Sequence, residues 1–456
     1  MSQETAAGLL QRARELDVAG RDEEALAAYV EVLREDPAHL DALNGFGNLA
    51  FAMGRRSAAR TVYERAAHSH PGNARVRVNL GNLYYYEDDL AAARLQYEAA
   101  LALDAGLPEA HQGLARTLDA LGETKAAETH WKPGFAAEPI VMQRYRGTVN
   151  PVRVLLLVSV KLGNAGTRQF LDDRTFELAV AHVEFVGPDT RLPDHNVVFN
   201  AVSDADLCGI ALARAESVIA RTAAPVINLP ARVRRTGRAG NASELAALPG
   251  VVTPRVREVA RASVPESADS FPLLLRSVGF HTGRHFVRVE RREDLGSALT
   301  SLPGEQILLI EPLDARGVDS MHRKYRVMII DGVLCPLHLA ISHNWKVHYF
   351  NAAMAENSAY REEERRFLED MPAALGPRAM AALQAIATHL GLDYGGIDFA
   401  LDRDGSVLLF EANATMSILP PGPDPRWDYR RGAIKRALEA ARQMVMRRAG
   451  TRSFAP

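Results

Sequence analysis

The segment YGGIDFALDRDGSVLLFEANATM, residues 394–416, predicts a β-hairpin that carries a metal site. The predicted arms are Ile397–Leu401 and Val407–Asn413, joined by an Asp- and Gly-containing turn. Folding about this turn brings Asp398 to within about one residue of Glu411 across the ladder, and strand alternation puts Glu411 and Asn413 on one face. Two carboxylates and an amide oxygen suit Mg²⁺. The alternative for this spacing alone is a solvated hairpin with an acidic outer face.

Composition narrows the class of protein. A length of 456 residues predicts about three domains, and 54 basic against 56 acidic residues leave no electrostatic footprint for nucleic acid. The apolar run Val154–Val158 is too short to span a bilayer, and no secretory leader pattern opens the chain. Cys208 and Cys335 match neither a disulfide framework nor a metal pair. We therefore expect a cytoplasmic protein that binds neither nucleic acid nor membrane.

A period of 34 residues organises the first 135 residues. Glycine or aspartate recurs in one column, alanine in a second and a bulky aromatic in a third. The columns are Gly20, Gly54, Asp88 and Gly122; Ala25, Ala59, Ala93 and Ala127; and Tyr29, Tyr63, Tyr97 and Trp131. Small residues also recur at Gly47, Gly81 and Ala115. The pattern resembles the tetratricopeptide repeat, a helix–turn–helix unit, over roughly residues 4–136.

This resemblance implies that the repeats hold a peptide or protein segment in a concave groove. The alternatives are a packing spacer and a surface for homodimer formation.

Residues 152–221 predict a small α/β domain. The apolar run Val152–Val160 suits a strand buried on both faces, and further strands alternate with a helix predicted over residues 204–221. The following stretch, residues 225–254, is expected to hold a short strand, a basic loop, a helix and a turn. Alternating strands and helices favour a parallel sheet, and the turn at Gly163 would lie at its ligand-binding edge.

Antiparallel strands follow. FPLLLRSVGFHTGRHFVRVE, residues 271–290, predicts a strand ending in Arg276, a loop with Gly279 and Gly283, and a returning strand. Such a loop lets backbone N–H groups approach phosphates closely. ILLIEPLD, residues 307–314, predicts a strand entering a loop at Glu311, and KYRVMIIDGVLCPLHLAIS, residues 324–342, predicts a second hairpin.

In this order the pieces resemble the ATP-grasp ligases, particularly the glutathione synthetase-like and RimK-type branches. The implied fold class is multidomain, with all-α tetratricopeptide repeats followed by an α/β pre-ATP-grasp domain and an α+β ATP-grasp fold. The implied domains are residues 1–138, 150–235 and 236–450. The resemblance covers about residues 150–446.

The resemblance also implies site residues. ATP would be bound at Arg238, Arg276, Gly279, Gly283, Glu311 and Asp314. Mg²⁺ would be held by Asp398, Glu411 and Asn413. Catalytic roles fall to Arg326, Lys324 and His338, and substrate contacts fall to Ser342, Trp345, Lys346 and His348. Family members commonly have lysines where this chain has Arg238 and Arg276. For Arg238 taken singly, a solvated surface charge is almost as good an interpretation as a phosphate ligand.

The implied activity is ATP-dependent joining of a carboxylate to an amine through an acyl-phosphate. A repeat array fused to such a ligase favours a peptide or protein substrate. The alternatives are a small-molecule ligase whose repeats serve assembly and a non-catalytic scaffold that binds nucleotide. The histidine-rich segment 338–350 has the further alternative of a hairpin that merely packs.

Overall fold

The computed structural model describes residues 6–278, 283–347 and 352–450, and the chain divides into two compact units. One unit is Met1–Pro151 with Val160–Leu162 and Phe185–Thr190; the other is Val152–Ser159, Gly163–Glu184 and Arg191–Pro456. The three-domain division stays a prediction. Among the described residues, no helix has the combination of length and apolar character that a membrane span requires.

The first unit is built from paired helices, as the repeat pattern predicts. Its described helices are α1 (Ala6–Val18), α2 (Asp22–Glu35), α3 (Leu40–Ala52), α4 (Arg56–Ser69), α5 (Ala74–Tyr86), α6 (Leu90–Leu103), α7 (Pro108–Ala120) and α8 (Thr124–Phe135), followed by strand β1 (Ile140–Met142). Short turns join the members of each pair. The predicted all-α repeat region is therefore confirmed.

The repeated columns have physical causes in this unit. The first column lies in the turn within each pair, where φ is +67° at Gly20, +77° at Gly54, +63° at Asp88 and +83° at Gly122. Glycine adopts this left-handed conformation without strain, and aspartate tolerates it. The alanine column is fully buried, and the aromatic column is at most 6% exposed. A Cβ on Gly47 would lie 2.4 Å from the Tyr63 ring, so only glycine lets these helices approach so closely.

The second unit begins with a parallel sheet. Its strands are β2 (Val152–Val158), β3 (Phe176–His182), β4 (Val197–Asn200) and β5 (Val226–Ile227), in the order β3-β2-β4-β5. Helices α9 (Gly209–Ile219) and α10 (Pro230–Arg234) accompany it. The predicted parallel sheet is confirmed.

A four-stranded antiparallel sheet follows, in the order β7-β10-β8-β9. This part of the chain contains α11 (Arg238–Leu245), β6 (Val251–Val252), β7 (Val256–Ala260), α12 (Val264–Ser267), β8 (Leu273–Ser277), β9 (Phe286–Val289), α13 (Leu295–Thr300) and β10 (Gln306–Ile310). Arg276 lies on β8 and Glu311 follows β10, as predicted.

A mixed five-stranded sheet completes the unit, in the order β12-β11-β13-β14-β6, with only β6 parallel to its neighbour. Its elements are β11 (His322–Ile330), β12 (Val333–Ser342), α14 (Ser358–Glu369), α15 (Met371–Leu390), β13 (Tyr394–Leu401), β14 (Val407–Asn413) and α16 (Asp428–Arg448).

Both predicted hairpins of this sheet are confirmed. Asp331 and Gly332 have φ of +50° and +81°, as a two-residue hairpin turn requires. In the second hairpin Asp398 lies directly opposite Glu411, although β13 begins at Tyr394 rather than at Ile397. The register shifts after Asp398, which is a β-bulge beside a candidate site residue.

The sequence-based assignment was wrong in three places. The basic loop contains a short helix, α10, because Pro230 occupies its first turn. Helix α9 begins at Gly209 rather than Asp204, since the Asp204 carboxylate accepts the N–H groups of Asp206 and Leu207 in a preceding turn. The charge run REEERRFLED, residues 361–370, predicts an exposed helix with ion pairs between residues four positions apart, but Glu364 within it is fully buried.

Asn228 joins the parallel sheet to the five-stranded sheet. Its side-chain oxygen accepts the N–H groups of Asp393 and Tyr394 at 3.0 and 2.9 Å, and its amide donates to the Tyr394 carbonyl at 2.7 Å. Tyr394 also packs against Phe170 and Phe199 in the shared core. These contacts fix the start of β13, the strand that carries Asp398.

Candidate functional site

A row of polar side chains crosses four neighbouring strands of the five-stranded sheet. His338 on β12 lies opposite Arg326 on β11, Arg326 lies opposite Asp398 on β13, and Asp398 lies opposite Glu411 on β14. Directly opposed residues of antiparallel strands project from the same face. The sheet therefore collects these predicted site residues on one face.

Asp398 is the most tightly held member of the row. Arg326 donates to both of its oxygens, at 2.6 and 2.7 Å, and Lys324 Nζ lies 2.9 Å from Oδ2. Burial by itself would raise the pKa of Asp398, but the adjacent Arg326 and Lys324 hold this pKa well below its usual range. The predicted placement of Lys324 beside Arg326 is thus confirmed, and Asp398 is ionised at neutral pH.

Arg238 reaches this row from the first residue of α11. Its Nη2 lies 3.1 Å from Glu411 Oε1, and its Nη1 lies 2.8 Å from Asp206 Oδ2. The side chain is only 12% exposed, which argues against the reading of Arg238 as a solvated surface charge. Although burial alone would lower the pKa of Arg238, Glu411 and Asp206 raise it.

A second group of cations surrounds Phe286 on β9. Arg276 lies opposite Phe286 in the ladder, with its guanidinium 5.6 Å from the ring centre. Lys346 Nζ lies 5.9 Å from the same ring and donates to the Phe286 carbonyl at 3.2 Å, and the Trp345 ring contacts it edge-on at 5.2 Å. Burial, and then the nearby Arg238, lower the pKa of Arg276. Burial, and then Arg276, lower that of Lys346. The site therefore concentrates positive charge.

Gly283 lies against this group, with φ of +72°, and a Cβ there would lie 2.8 Å from Lys346 Cε. Ser342, at the end of β12, accepts the N–H of Asn344 at 3.1 Å. Two further predicted site residues, Gly279 and His348, lie outside the described residues.

The loop after β10 is held by local bonds. The Glu311 N–H donates to the Arg255 carbonyl at 3.0 Å. Asp314 forms two hydrogen bonds of 2.7 Å with Arg316, and this pairing lowers the pKa of Asp314 to about 2. A ribose contact by Asp314 stays a prediction.

The candidate metal ligands would all bind a metal through oxygen atoms. Each of these side chains already accepts at least one hydrogen bond from another group of the chain. Asn413 Oδ1 accepts from the N–H and hydroxyl of Thr415, at 3.0 and 2.8 Å. Within the described residues, no group of three or more His, Cys, Asp or Glu side chains is arranged to hold a metal ion. A metal at this place would therefore rest on two carboxylates and an amide, and a metal there stays a prediction.

A buried ion pair, Glu364–Arg430, contacts β12 at Leu339, the residue after His338. Glu364 accepts the N–H of Leu339 at 3.2 Å through Oε1, while Oε2 accepts from Arg430 at 2.6 Å and from the Tyr429 hydroxyl at 2.5 Å. Burial raises the pKa of Glu364, and burial together with nearby cations lowers that of His338 well below its usual value. His338 is therefore a neutral imidazole at physiological pH.

Sequence reasoning missed three of these residues. Asp206 follows a parallel strand at the ligand-binding edge of its sheet, so position alone gave a usable signal. The sequence around Phe286 does not distinguish it from other strand residues, because the cations around its ring are recognised only once Arg276 is known to lie opposite it in the sheet. Glu364 is hidden in a charge run typical of a solvated helix.

The repeats carry a second candidate surface. The first helices of successive repeats contact one another, α1 with α3, α3 with α5 and α5 with α7. Over the described residues, no two second helices make contacts as extensive as these. These contacts align the first helices along one side of the array, which we call its inner face.

Two tyrosines hold equivalent asparagines on successive first helices. The Tyr63 hydroxyl donates to Asn48 Oδ1 at 2.6 Å, and the Tyr97 hydroxyl donates to Asn82 Oδ1 at 2.7 Å. Both tyrosines are buried and both asparagines are exposed. Each amide oxygen accepts a hydrogen bond from a tyrosine hydroxyl, so the amide nitrogen of each exposed asparagine is on the other side of the amide group from the tyrosine.

Aromatic side chains accompany these asparagines. Residues three or four positions apart share a helix face, which places Phe51 beside Asn48, and Tyr85 and Tyr86 beside Asn82. The Phe51 and Tyr86 rings are 5.2 Å apart, and Tyr86 is 57% exposed. The face therefore offers amide donors next to accessible aromatic surface.

Comparison with known protein families assigns residues 19–106 of the first unit. Two family models, each described as tetratricopeptide repeat, match residues 19–80 and 74–106, so these helices are tetratricopeptide repeats. MamA from Desulfovibrio magneticus RS-1 is similar at 23% identity over 28% of this chain and 73% of that chain, with a TM-score of 0.27. YrrB, described as a TPR protein with an unusual peptide-binding site, is similar at 22% identity over 30% of this chain and 70% of that chain, also with a TM-score of 0.27. The search of curated proteins found no match.

Proposed function

We propose that this chain is an ATP-dependent carboxylate–amine ligase with an ATP-grasp fold, and that its repeats hold a peptide or protein substrate. The observation that carries the proposal is the row His338–Arg326–Asp398–Glu411, which Arg238 extends. The strand with Arg276, the loop at Glu311, Arg326 and the metal hairpin follow one another along the chain in the order that the resemblance to these ligases implies.

The chemistry needs activation of a carboxylate. Its oxygen attacks the γ-phosphorus of ATP, which forms an acyl-phosphate and releases ADP; the amine then displaces phosphate and loses a proton. Phosphoryl transfer depends mainly on positioning and on neutralising charge. Arg238 and Arg276 supply clustered cations for the phosphates, and Lys346, the proposed substrate contact, lies close to Arg276. Arg326 is our candidate for binding the transferred phosphoryl group.

Asp398, Glu411 and Asn413 would hold Mg²⁺ in this proposal. Their oxygen donors match the preference of Mg²⁺, and the opposed positions of the two carboxylates bring charge together. The ion would neutralise phosphate charge when bound. The ligand atoms are of the type that Mg²⁺ prefers. Mg²⁺ would have to replace the arginine and lysine side chains that now contact the two carboxylates.

His338 is our candidate for the proton acceptor. A general base must be unprotonated at the working pH, and burial gives His338 that state. Its position opposite Arg326 puts it beside the proposed phosphoryl site.

The repeats suit an extended polypeptide. Asn48 and Asn82 present amide donors one repeat apart on the inner face, where they can bind main-chain carbonyls. Arg116 occupies the same column in the next repeat. Trp131 replaces the tyrosine there, so no equivalent hydroxyl holds that position.

ADP release in the presence of ATP and Mg²⁺ tests the proposal. We expect release to require both a carboxylate and an amine substrate, and a panel of peptides and free amino acids would show which. The variant Glu411→Gln serves as the control for contaminating ATPases. If no combination of substrates raises ADP release above that control, the chain is not a ligase of this type.

A non-catalytic nucleotide-binding scaffold is a second candidate. Arg326 binds both oxygens of Asp398, and Lys324 contacts the same carboxylate. These contacts favour a scaffold because they occupy the atoms that a catalytic metal would need. A scaffold would show thermal stabilisation by ATP and Mg²⁺ without ADP release. A ligase would show both.

A further inference from the structure

Strand β12 has an irregular ladder beside His338. The strand lies at one end of the sheet order, with β11 as its neighbour. Its register with β11 shifts between Arg326 and Val327, which leaves Leu337 as an extra residue on β12. Such a bulge interrupts the ladder, and the preceding Pro336 has no N–H to donate to it. The ladder therefore constrains the backbone at His338 less than a regular ladder would.

Glu364 on α14 contacts the backbone on the other side of His338. Its Oε1 accepts the N–H of Leu339 at 3.2 Å, and the side chain is fully buried. Hydrogen bonds to a charged group are stronger than those between neutral groups. His338 thus lies between the bulge and a backbone hydrogen bond to a buried carboxylate.

Two groups of α16 fix the carboxylate of Glu364. Arg430 donates to Oε2 at 2.6 and 3.0 Å, and the Tyr429 hydroxyl donates to the same atom. The Arg430 side chain is only 3% exposed, so water screens this ion pair little. With Oε2 held from α16, Oε1 is directed at the N–H of Leu339.

We propose that Glu364 is a positioning residue, which holds β12 so that the imidazole of His338 stays beside Arg326 during the reaction. This inference rests on the function proposed above, because it acts through the candidate proton acceptor. A catalytic group that is misplaced by about 1 Å can lose about 10²-fold in rate. A contact that fixes the backbone next to such a group therefore affects the rate without touching the substrate.

A double-mutant cycle tests whether Glu364 acts through His338. Glu364→Asp keeps the charge beside Arg430 but shortens the side chain, so that it no longer reaches both Arg430 and Leu339. We expect kcat for ADP release to fall about tenfold or more, with little change in the KM for ATP. In the His338→Ala background the same substitution should change kcat by less than about twofold, because the group that it positions is gone.

Two further variants complete the design. Glu362→Asp makes the same change on the same helix at an exposed residue, which pairs with Arg365, and should leave kcat unchanged. Tyr429→Phe removes one donor from Glu364 and should lower kcat in the same direction by a smaller factor. It takes the place of Glu364→Asp in the cycle if thermal unfolding shows that Glu364→Asp is not folded.

Hydrogen exchange at the Leu339 amide reports the backbone contact directly. Exchange should be faster than in the parent in both Glu364→Asp and Tyr429→Phe, and it should be unchanged in Glu362→Asp. Unchanged exchange in the first two variants would overturn the proposed contact.

The kinetic outcomes are distinct. Equal fold losses of kcat with and without His338 would overturn the positioning role while the parent remains an active ligase, since the effect would then be purely structural. A loss from Glu364→Asp together with parent activity in His338→Ala would overturn it as well. If the parent releases no ADP with any substrate, the ligase proposal fails and the positioning role fails with it.

Discussion

Arg326 binds both oxygens of Asp398 from the position directly opposite it on the neighbouring strand, at 2.6 and 2.7 Å. Register therefore sets this bidentate pair, because a shift by one residue would turn the two side chains to opposite faces. The pair lies inside the five-stranded sheet, where Asp398 is 3% exposed. Such a pair adds little net stability, but loss of one partner leaves the other charge buried.

We predict that Asp398→Asn destabilises the second unit by about 3–5 kcal/mol, since Arg326 and Lys324 lose the charge they share. Urea unfolding followed by tryptophan fluorescence measures the change. Asp314→Asn is the matched control, because its pair with Arg316 is largely exposed and such pairs contribute at most about 1 kcal/mol. Similar values for the two variants would show that burial of the Asp398 pair has no energetic consequence.

Arg326→Ala should reduce kcat about 10²–10³-fold if Arg326 stabilises the transferred phosphoryl group, as the loss of one transition-state donor does elsewhere. The KM for ATP should change much less. Arg291→Ala removes an exposed arginine that pairs only with the nearby Glu293 and Asp294 and should leave both constants unchanged. Steady-state ADP release at varied ATP measures them. An effect confined to the KM for ATP would assign Arg326 to ground-state binding instead.

The sequence predicted the elements of this site better than their contacts. Hairpin turns and strand alternation determine which residues oppose each other, so the pairing of Asp398 with Glu411 followed from local pattern alone. The ion pairs made by Arg238 did not, because Asp206 and Glu411 come from segments far apart in the chain. Their meeting depends on how α11, β4 and β14 are packed.

Burial was the hardest property to predict from residue type. Glu364 belongs to a run of charges that any pattern assigns to a solvated helix, yet it is fully buried because Arg430 and Tyr429 supply its donors from α16. The repeat columns succeeded for the opposite reason. Each repeat packs against equivalent neighbours, so the same residue type recurs at the same position of successive repeats and can be recognised in the sequence.

Gly47→Ala should destabilise the repeats by about 1–3 kcal/mol, because the added Cβ would lie 2.4 Å from the buried Tyr63 ring and helices would have to separate. Gly72→Ala is the control, since nothing lies within 4 Å of a Cβ there. Its effect should stay within about 0.5 kcal/mol. Thermal unfolding monitored by circular dichroism compares them. Equal stability of the two variants would contradict the close approach of α3 and α4.

The last prediction concerns how the repeats recognise substrate. Tyr63→Phe combined with Tyr97→Phe removes only the hydroxyls that orient Asn48 and Asn82, while Asn48→Ala combined with Asn82→Ala removes the amides themselves. We expect the asparagine variant to lower kcat/KM for a polypeptide substrate about tenfold or more, since two hydrogen bonds are lost. The tyrosine variant should lower it less, because the amides remain but turn freely.

Both variants should keep the parent kcat at saturating polypeptide, since the repeats would raise the local concentration of substrate without taking part in the chemistry. ATP affinity, measured by titration, should also match the parent. Asn73→Ala serves as the control for general damage, because Asn73 caps α5 through the Val76 N–H rather than holding this face. Unchanged kcat/KM in the asparagine variant would show that this face does not deliver substrate, and would favour a ligase for small molecules whose repeats serve assembly.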